Sequence, residues 1–394
     1  MADKKYRVIK SNVTEMNAKI SRHRKKILFF TALAVITLLI ILAGYYLYIQ
    51  TRVYTSYDVL DTIKREDSPG TQFTDFDGNI LKYGKDGAAC IDLNNRVIWN
   101  QAYEMQEPMT DICGGYAAIA DEKGKQVYIM DKRGSCGQIE TAMPIRRVQV
   151  ANQGTAAILM EQDGSGYLQV YDKEGTFLAE GRLHTKNSGY PLDIAMSHDG
   201  KKLAVALLDV NDGNLKTTIT FYNFGAAGQN EIDNIVGQYS YDGLLIPKVE
   251  FLTNDVMVAF GAGKAVIFEG GQKPQQKNEV VLEQEIQSIF YNDTYFGFVF
   301  AGGQDKAAYE MQVYNLDGAE ILTKGFSMGY QSIGFLGNHE IYIINDLECQ
   351  IVTLRGVEKF HGEFEKGIRK IVPAGGFRNY VFLVDGETQK IRLK

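Results

Sequence analysis

The oxygen-rich stretch DVNDGN is the place in this sequence where side chains could bind a metal ion. Asp209, Asn211 and Asp212 would bring three side-chain oxygens into one short loop, and Ca²⁺ prefers oxygen ligands. The stretch lacks the regular alternation and the distal glutamate of an EF-hand loop. We therefore expect a polar hairpin, keep these residues as a weak candidate metal loop, and predict no cofactor.

Two further motifs suggest chemistry but are explained by turns. The Ser-His-Asp-Gly stretch around Asp199 resembles an Asp box, yet it lacks the aromatic residue that completes one. An Asp in such a turn hydrogen-bonds to its own backbone, and His198 is expected to be an exposed turn residue. The stretch GAGKAV from Gly261 lacks the full phosphate-loop pattern, so we expect a tight hairpin there.

The spacing of residues predicts no catalytic site. The five histidines are scattered, and no Ser/His/Asp set or carboxylate pair stands out. The four cysteines, Cys90, Cys113, Cys136 and Cys349, form no CxxC pair. We expect four free, mostly buried thiols, while two disulfide bridges remain an alternative for an exported domain.

The longest apolar run, residues 27–49, predicts a transmembrane helix. It carries no charge and would span roughly 34 Å, enough for a hydrocarbon core of about 30 Å. Residues 1–26 contain nine basic and two acidic residues, which predicts a cytoplasmic tail and an extracellular domain of residues 50–394. A cleaved signal peptide is the alternative, but its apolar core would be shorter. A buried core helix lacks helical partners elsewhere in the sequence.

The distribution of charge argues against a nucleic-acid partner. The chain carries −6 and residues 1–26 carry +7, so residues 27–394 carry −13. A domain with that charge repels phosphate and favours a basic or polar partner.

Short strand-like runs with glycine-containing turns fill the chain after residue 60. Asp-Gly, a strong hairpin signal, occurs eight times. A four-stranded unit repeats, with first strands near residues 72, 109, 146, 192, 247, 286, 331 and 368. This spacing predicts an all-β propeller of eight four-stranded blades, with seven as the alternative. The last unit is one strand short, and residues 54–66 are expected to supply its outer strand.

Two stretches resemble known propellers. SHDGKKLAVAL, residues 197–207, resembles the Ser-Pro-Asp-Gly-Lys turn of TolB-type propellers, with His198 in place of proline. NILKYGKDGAACIDLNNRVIWN, residues 79–100, resembles a blade of the quinoprotein-like propellers. The propeller as a whole is expected to be WD40/YVTN-like. The whole layout resembles an uncharacterised family of single-span Gram-positive membrane proteins with a propeller-like domain of unknown function. This resemblance transfers no activity, and the single Trp99 argues against a quinoprotein dehydrogenase.

These observations favour a binding or scaffolding module at the cell envelope, with a protein or cell-envelope partner on the propeller face. The alternative is an extracytoplasmic enzyme that acts on cell-wall glycans or peptides. Residues from distant blades converge in a propeller, so a site can escape sequence analysis. Three acidic or histidine side chains that meet in a central pocket, with a raised carboxyl pKa, would favour the enzyme.

Overall fold

The computed structural model describes residues 13–183, 189–211, 213–302 and 307–394. The chain divides into two units, Met1–Val53 and Tyr54–Lys394. The described part of the first unit contains helix α1 (Val13–Gln50), and the second consists of strands with a 3-10 turn at Ile232–Asn234.

Helix α1 has the length and composition of a membrane span. Among the described residues it is the one helix that could cross a membrane, over Met16–Tyr48, and an 18-residue window in it has a mean hydropathy of 2.8. Two threonine hydroxyls are satisfied within the helix, since Thr31 donates to Ile27 O at 3.0 Å and Thr37 to Leu33 O at 2.9 Å. Residues 27–49 of the helix therefore present an uncharged, mostly apolar surface.

The described strands form eight sheets of four strands, which confirms the predicted eight-bladed propeller. Strand β1 (Tyr57–Lys64) comes first in the chain and belongs to blade 8. Blade 1 contains β2 (Gln72–Phe76), β3 (Asn79–Gly84), β4 (Gly87–Ile91) and β5 (Val97–Ala102); blade 2 contains β6 (Pro108–Cys113), β7 (Tyr116–Asp121), β8 (Gln126–Asp131) and β9 (Gly134–Glu140). Blade 3 contains β10 (Ile145–Val150), β11 (Ala156–Gln162), β12 (Ser165–Tyr171) and β13 (Phe177–Leu183); blade 4 contains β14 (Tyr190–Met196), β15 (Lys202–Asn211), β16 (Asn214–Asn223) and β17 (Ile235–Asp242).

The second half of the ring repeats this order. Blade 5 contains β18 (Lys248–Phe251), β19 (Val256–Gly261), β20 (Lys264–Glu269) and β21 (Gln275–Val281); blade 6 contains β22 (Ile286–Tyr291), β23 (Tyr295–Ala301), β24 (Tyr309–Asn315) and β25 (Glu320–Phe326). Blade 7 contains β26 (Ser332–Phe335), β27 (Ile341–Ile344), β28 (Glu348–Val352) and β29 (Glu358–Glu363); blade 8 contains β30 (Ile368–Pro373), β31 (Asn379–Val384) and β32 (Glu387–Leu393). Each first strand begins within two residues of the predicted position.

The first strand of the domain closes the ring. β1, residues 57–64, is the outermost strand of blade 8 and pairs antiparallel with β32, whereas Tyr54 forms an isolated bridge to Phe360 of blade 7. Arg65 fastens this closure, because its guanidinium donates to Val384 O at 2.8 Å and to Glu387 O at 2.9 Å. It also donates to Thr388 Oγ1 at 2.9 Å. One buried side chain thus ties the start of the domain to its end.

Turn chemistry explains why the repeat was visible in the sequence. After β12, Asp172 Oδ1 accepts hydrogen bonds from Glu174 N at 3.0 Å and from Thr176 N at 2.7 Å. Gly175 supplies a positive φ of 85° that this tight turn requires. Asn315 forms the same turn in blade 6. The recurring pattern of an aromatic, an Asp or Asn and a glycine is therefore the turn between the third and fourth strands of a blade.

The core lies between the blades. Each of eight clusters of buried apolar side chains belongs to two neighbouring blades, so the sheets pack face to face around the ring. The cluster between blades 8 and 1 has four buried members, Ile80, Ile91, Val381 and Leu383, whereas each other cluster has ten or more. The closing seam therefore has the smallest apolar core.

The first strands of the blades line the central axis. They contact each other around the ring, as β6 does β10, β10 does β14 and β2 does β30. Strand direction alternates within a blade, so the loops fall on two faces. We call the upper face the one with the loops between second and third strands and the connections between blades. The lower face carries the other turns.

Candidate functional site

Three side chains link the first strands of blades 2 to 5 around the axis. Asp111 Oδ2 accepts a hydrogen bond from Val150 N at 2.6 Å. Gln149 Oε1 accepts one from the first strand of blade 4 at 3.4 Å, and Asp193 Oδ2 accepts one from Val249 N at 3.1 Å. The axis-facing edge of a first strand has no partner strand, so each side chain satisfies a backbone N–H of the next blade.

Charged side chains extend this series to blade 6. Lys248 Nζ lies 2.7 Å from Glu250 Oε2 and 3.3 Å from Asp193 Oδ2. Tyr291 OH donates to the same Glu250 oxygen at 3.0 Å. We call these four residues together with Asp111 the axial cluster. Its members come from blades 2, 4, 5 and 6.

A second cation borders the axial cluster. Arg147 Nε lies 3.5 Å from Asp193 Oδ1, and its Nη1 lies 3.7 Å from Glu122 Oε1. The Asp193 side chain is 3% exposed, so its carboxylate depends on donors from the protein. Arg147, Lys248 and the Val249 N–H supply them. This carboxylate therefore holds three blades together.

Asp111 differs from the other carboxylates of the cluster. Burial, reinforced by the charge of Glu250, raises the pKa of Asp111 to about 7 against the opposing effects of the Val150 N–H and the Lys248 ammonium. Burial lowers the pKa of Lys248, but Glu250, Tyr291 and Asp193 outweigh it and raise that pKa above its usual value. Asp111 therefore changes protonation near neutral pH, while the nearby lysine stays charged.

A cavity of about 630 Å³ opens between blades 5 and 6 on the upper face. Its walls include the hairpin 261–263, the segment 282–289 and Phe260. The Phe260 ring stacks on the Tyr291 ring with centroids 5.8 Å apart. The volume suits a small ligand or the side chains of a peptide. This ring contact, made by the buried Phe260, connects a wall of the cavity to Tyr291 of the axial cluster.

The weak candidate metal loop lies at the end of the β15–β16 hairpin. Asp209 Oδ2 is 3.7 Å from Lys216 Nζ, so a cation of the protein already lies beside this carboxylate. Asp212 and the side chain of Asn211 lie outside the described residues. Among the residues that are described, no group of three or more His, Cys, Asp or Glu side chains could hold a metal ion.

The Ser-His-Asp-Gly stretch forms a turn. Asp199 Oδ1 accepts hydrogen bonds from Ser197 Oγ at 2.7 Å and from Lys201 N at 3.3 Å. His198 is half-buried, and its Nε2 lies 3.1 Å from Phe251 O, so the expectation of an exposed residue is wrong. The reason is that this turn packs against blade 5, where the imidazole hydrogen-bonds to a backbone carbonyl.

The glycine-rich stretch at Gly261 is a tight hairpin, with Gly261 opposite Lys264. Lys264 Nζ lies 2.8 Å from Glu279 Oε2. This pairing agrees with the expectation that the stretch is no phosphate loop.

All four cysteines are free thiols, and three of them are buried. Cys113 lies near the axial cluster. Burial, together with the charges of Asp111 and Glu250, raises the pKa of its thiol to about 12. A thiol this hard to ionise is a poor nucleophile.

Sequence analysis missed the axial cluster because each first strand resembles an ordinary apolar blade strand. One signal was present: a polar residue interrupts the first strand of three consecutive repeats, at Asp111, Gln149 and Asp193. Nothing in the spacing showed that these residues would join Lys248 and Glu250, which lie more than 50 residues further along the chain than Asp193.

Solved structures of other propellers are similar to this chain. Sqt1 of Saccharomyces cerevisiae has a TM-score of 0.53 at 14% identity, over 86% of this chain and 98% of that one. Chaetomium thermophilum Sqt1 bound to the N-terminus of ribosomal protein L10 has a TM-score of 0.52 at 13% identity, over 85% and 99%. BamB from Moraxella catarrhalis has a TM-score of 0.49 at 12% identity, over 86% and 100%. Such identities concern the fold alone.

No curated protein matches the chain. One family description matches residues 50–393, a span that contains all eight blades. The resemblance to an uncharacterised family with a propeller-like domain is thus confirmed. The chain belongs to DUF5711, a family of unknown function.

Proposed function

We propose that this protein is a membrane-anchored binding module of the cell envelope. In this proposal residues 27–49 cross the cell membrane once, residues 1–26 are cytoplasmic, and residues 50–394 form the extracellular domain. The basic excess of residues 1–26 supports this orientation. The length and hydropathy of α1 support the span.

The observation that carries the binding role is that the 630 Å³ cavity lies beside the axial cluster, with the ring of its wall residue Phe260 stacked on Tyr291. Apolar groups of a partner fit the cavity beside Phe260, and a basic group fits near Asp111 and Glu250. The upper-face loops favour the same chemistry, because their exposed side chains are mostly acidic. Among the described residues of these loops, the exposed acidic ones are Glu66, Asp86, Glu104, Glu107, Asp163, Glu283, Glu285, Asp346, Glu365 and Asp385, and the exposed basic ones are Lys85, Lys123, Lys125 and Lys366.

A protein segment is the partner that this surface suits best. The Chaetomium Sqt1 structure has a propeller bound to the N-terminus of another protein. By analogy of fold, we expect a basic, partly apolar segment on the upper face of this propeller. This expectation excludes nucleic acid, which the acidic loops repel.

The axial cluster also favours a second candidate, an enzyme that acts on cell-wall glycans or peptides. Asp111, Asp193 and Glu250 come from three different blades, and a carboxyl whose pKa is about 7 could act as an acid or a base. Binding remains the better proposal because Lys248 and Arg147 already neutralise Asp193 and Glu250. The nearby Cys113 thiol is also unsuited to attack.

Photocrosslinking in intact cells tests the binding role. A photoreactive residue replaces Glu285 on the upper face or, as the matched control, exposed Asn254 on the lower face. We expect one defined protein crosslinked from position 285 and none from position 254. We expect at least a tenfold loss of crosslinking in the Glu250→Gln variant, which removes a carboxylate that would face the basic group of the partner. Equal crosslinking from both positions contradicts the proposal. Hydrolysis of wall glycans or peptides that Asp111→Asn abolishes would establish the enzyme instead.

Protease added to intact, wall-stripped cells tests the orientation separately. We expect the propeller to be degraded and a tag on residue 1 to be protected. Protection of the propeller would overturn the proposed orientation.

A further inference from the structure

At the outer circumference of the ring, the turn between the third and fourth strands of a blade lies next to the outermost strand of the preceding blade. We call each of these contact regions a joint. Direct contacts close these joints in most of the ring. The hydrogen bonds that close them are Asn95 Nδ2 to Lys64 O (3.3 Å), Tyr239 OH to Pro274 O (3.0 Å), Asn278 Nδ2 to Asp317 O (2.8 Å), Lys324 Nζ to Gly356 O (2.9 Å) and Tyr54 N to Lys359 O (2.8 Å).

The joint between blades 3 and 4 holds a cavity of about 420 Å³ instead. The turn there is an eleven-residue loop, 224–234, whereas the corresponding turn of blade 3 has five residues, 172–176. Asp233 and Asn234 adopt positive φ angles of 54° and 58° in succession, a conformation that costs energy in residues other than glycine. The loop is thus held in a shape that leaves the joint open.

One wall of this cavity is the edge of a β-strand. Five consecutive residues of β13, 179–183, line it. Side chains of a strand alternate between its two faces, so a wall of consecutive residues includes the backbone edge. β13 is the outermost strand of its sheet, and its outer N–H and C=O groups have no strand partner. A Cβ added to Gly181 would meet no atom within 4 Å, which leaves room beside this edge.

The other walls of the cavity offer apolar contacts. Leu168, Val170, Tyr222 and Phe224 form the apolar part of the lining. Phe177 on β13 is 49% exposed and Ile232 on the opposite loop is 86% exposed, so apolar surface continues on both sides of the opening.

Three charged residues, Glu180, Arg182 and Asp233, line the cavity. The Arg182 guanidinium lies over the Tyr167 ring at 5.2 Å, which leaves the two carboxylates for a basic partner.

We propose that this groove binds an extended peptide segment of a partner protein, which pairs with β13 as a fifth strand of blade 3. Backbone hydrogen bonds give such strand addition its affinity, and alternate side chains give it specificity. Apolar side chains of the peptide face Tyr222 and Phe224, and basic side chains face Glu180 and Asp233. The groove lies apart from the axial cluster, so this proposal does not depend on binding at the upper face.

Peptide binding to the full-length chain in detergent micelles tests the proposal. The probes are fluorescein-labelled octapeptides of alternating valine and lysine, the same peptide with two internal prolines, and alternating valine and glutamate. We expect the proline and glutamate peptides to bind at least tenfold more weakly in fluorescence anisotropy. We expect the valine–lysine peptide to slow amide exchange at residues 179–183 at least tenfold.

Variants localise the effect. Gly181→Phe fills the cavity. Ile232→Lys places a positive charge on the exposed wall, where it repels the lysine side chains of the probe without disturbing the core. Each variant should weaken binding at least tenfold. Ser135→Phe on β9 is the matched control and should change binding less than twofold. Equal binding of the proline peptide, unchanged binding by both groove variants, or protection elsewhere overturns the proposal. The proposal is also overturned if the groove is occupied by a second copy of the chain, which a dimer that Gly181→Phe dissociates would show. It is overturned as well if residues 184–188 of the same chain protect the amides of residues 179–183 from exchange.

Discussion

Two regions of the propeller bury charged side chains: the axial cluster, and the seam between blades 8 and 1. At the seam each buried charge has a partner. The Arg65 side chain is 3% exposed, pairs with Asp67 at 2.8 Å and donates to the carbonyls of Val384 and Glu387. Asp67 also pairs with Lys82 at 2.9 Å. This polar clamp lies where the apolar core has four buried members, so it offsets a deficit of hydrophobic contact.

The axial cluster has more carboxylates than it can satisfy. Lys248 and Arg147 pair with Asp193 and Glu250, whereas Asp111 accepts hydrogen bonds from uncharged donors, Val150 N at 2.6 Å and Gln149 Nε2 at 3.5 Å. A proton therefore compensates Asp111 near neutral pH. The comparison teaches that a buried charge with complete partners makes a clamp that is costly to break, whereas an excess carboxyl has a raised pKa, a property that is common at functional sites.

Deletion of residues 54–64 should have the largest effect and tests whether the seam is purely structural. It removes β1, exposes the edge of β32 and leaves the Arg65 clamp without its strand. We expect the melting temperature to fall by more than about 10 °C in circular dichroism. Deletion of residues 2–12, outside the propeller, is the control and should leave it unchanged. Equal melting of both deletions would refute the role of β1.

Arg65→Ala should be the most damaging single substitution of the comparison. It leaves the carbonyls at the end of blade 8 without their buried donor, so we expect a loss of about 3 kcal/mol in the free energy of unfolding. Arg369→Ala is the control, because its pair with Asp385 is exposed and should contribute less than about 1 kcal/mol. Urea unfolding measures both. Similar losses of unfolding free energy in the two variants would show that Arg65 contributes no more to stability than an exposed ion pair.

Lys248→Met should cost less, about 2 kcal/mol, because solvent reaches 30% of the lysine side chain and screens its charge. The loss comes from Asp193 and Glu250, which are left with fewer donors. The double variant Lys248→Met, Glu250→Gln should recover part of the stability. An additive double variant would show that Lys248 and Glu250 do not depend on each other.

Asp111→Asn should have the smallest effect at about pH 4, and its effect should grow as the pH rises toward about 7. The folded pKa of about 7 lies above the unfolded value of about 3.9, so the folded state retains its proton as pH rises. The contribution of Asp111 to the free energy of unfolding of the natural protein therefore falls from about pH 4 to about pH 7. Above about pH 7 this contribution no longer changes. Asparagine does not titrate, so the variant should lack this decline. Parallel urea-unfolding profiles of both proteins from pH 4 to 8 would contradict the assignment.

The blade repeat could be predicted from the sequence because its signals are local. Asp-Gly pairs close hairpins through positive φ, as Asp163 and Gly164 do with φ of 51° and 71°. The alternation of apolar residues identifies strands, and a repeat period counts the blades. The missing fourth strand of the last unit pointed to residues 54–66, since an open ring would leave a raw edge. Each of these inferences needs only neighbouring residues and a rule of closure.

The sequence by itself therefore determined that one apolar helix precedes an eight-bladed propeller along the chain. It also determined the negative net charge of residues 27–394, which disfavours binding of nucleic acid. Only the tertiary structure decided which polar residues face each other. Asp111 and Glu250 belong to blades 2 and 5, and their mutual repulsion exists only once the ring brings both to the axis. The same holds for His198, whose carbonyl partner belongs to the next blade. The physical reason is that hairpin and strand energies are set within a few residues, whereas electrostatic energies are set by distance in space.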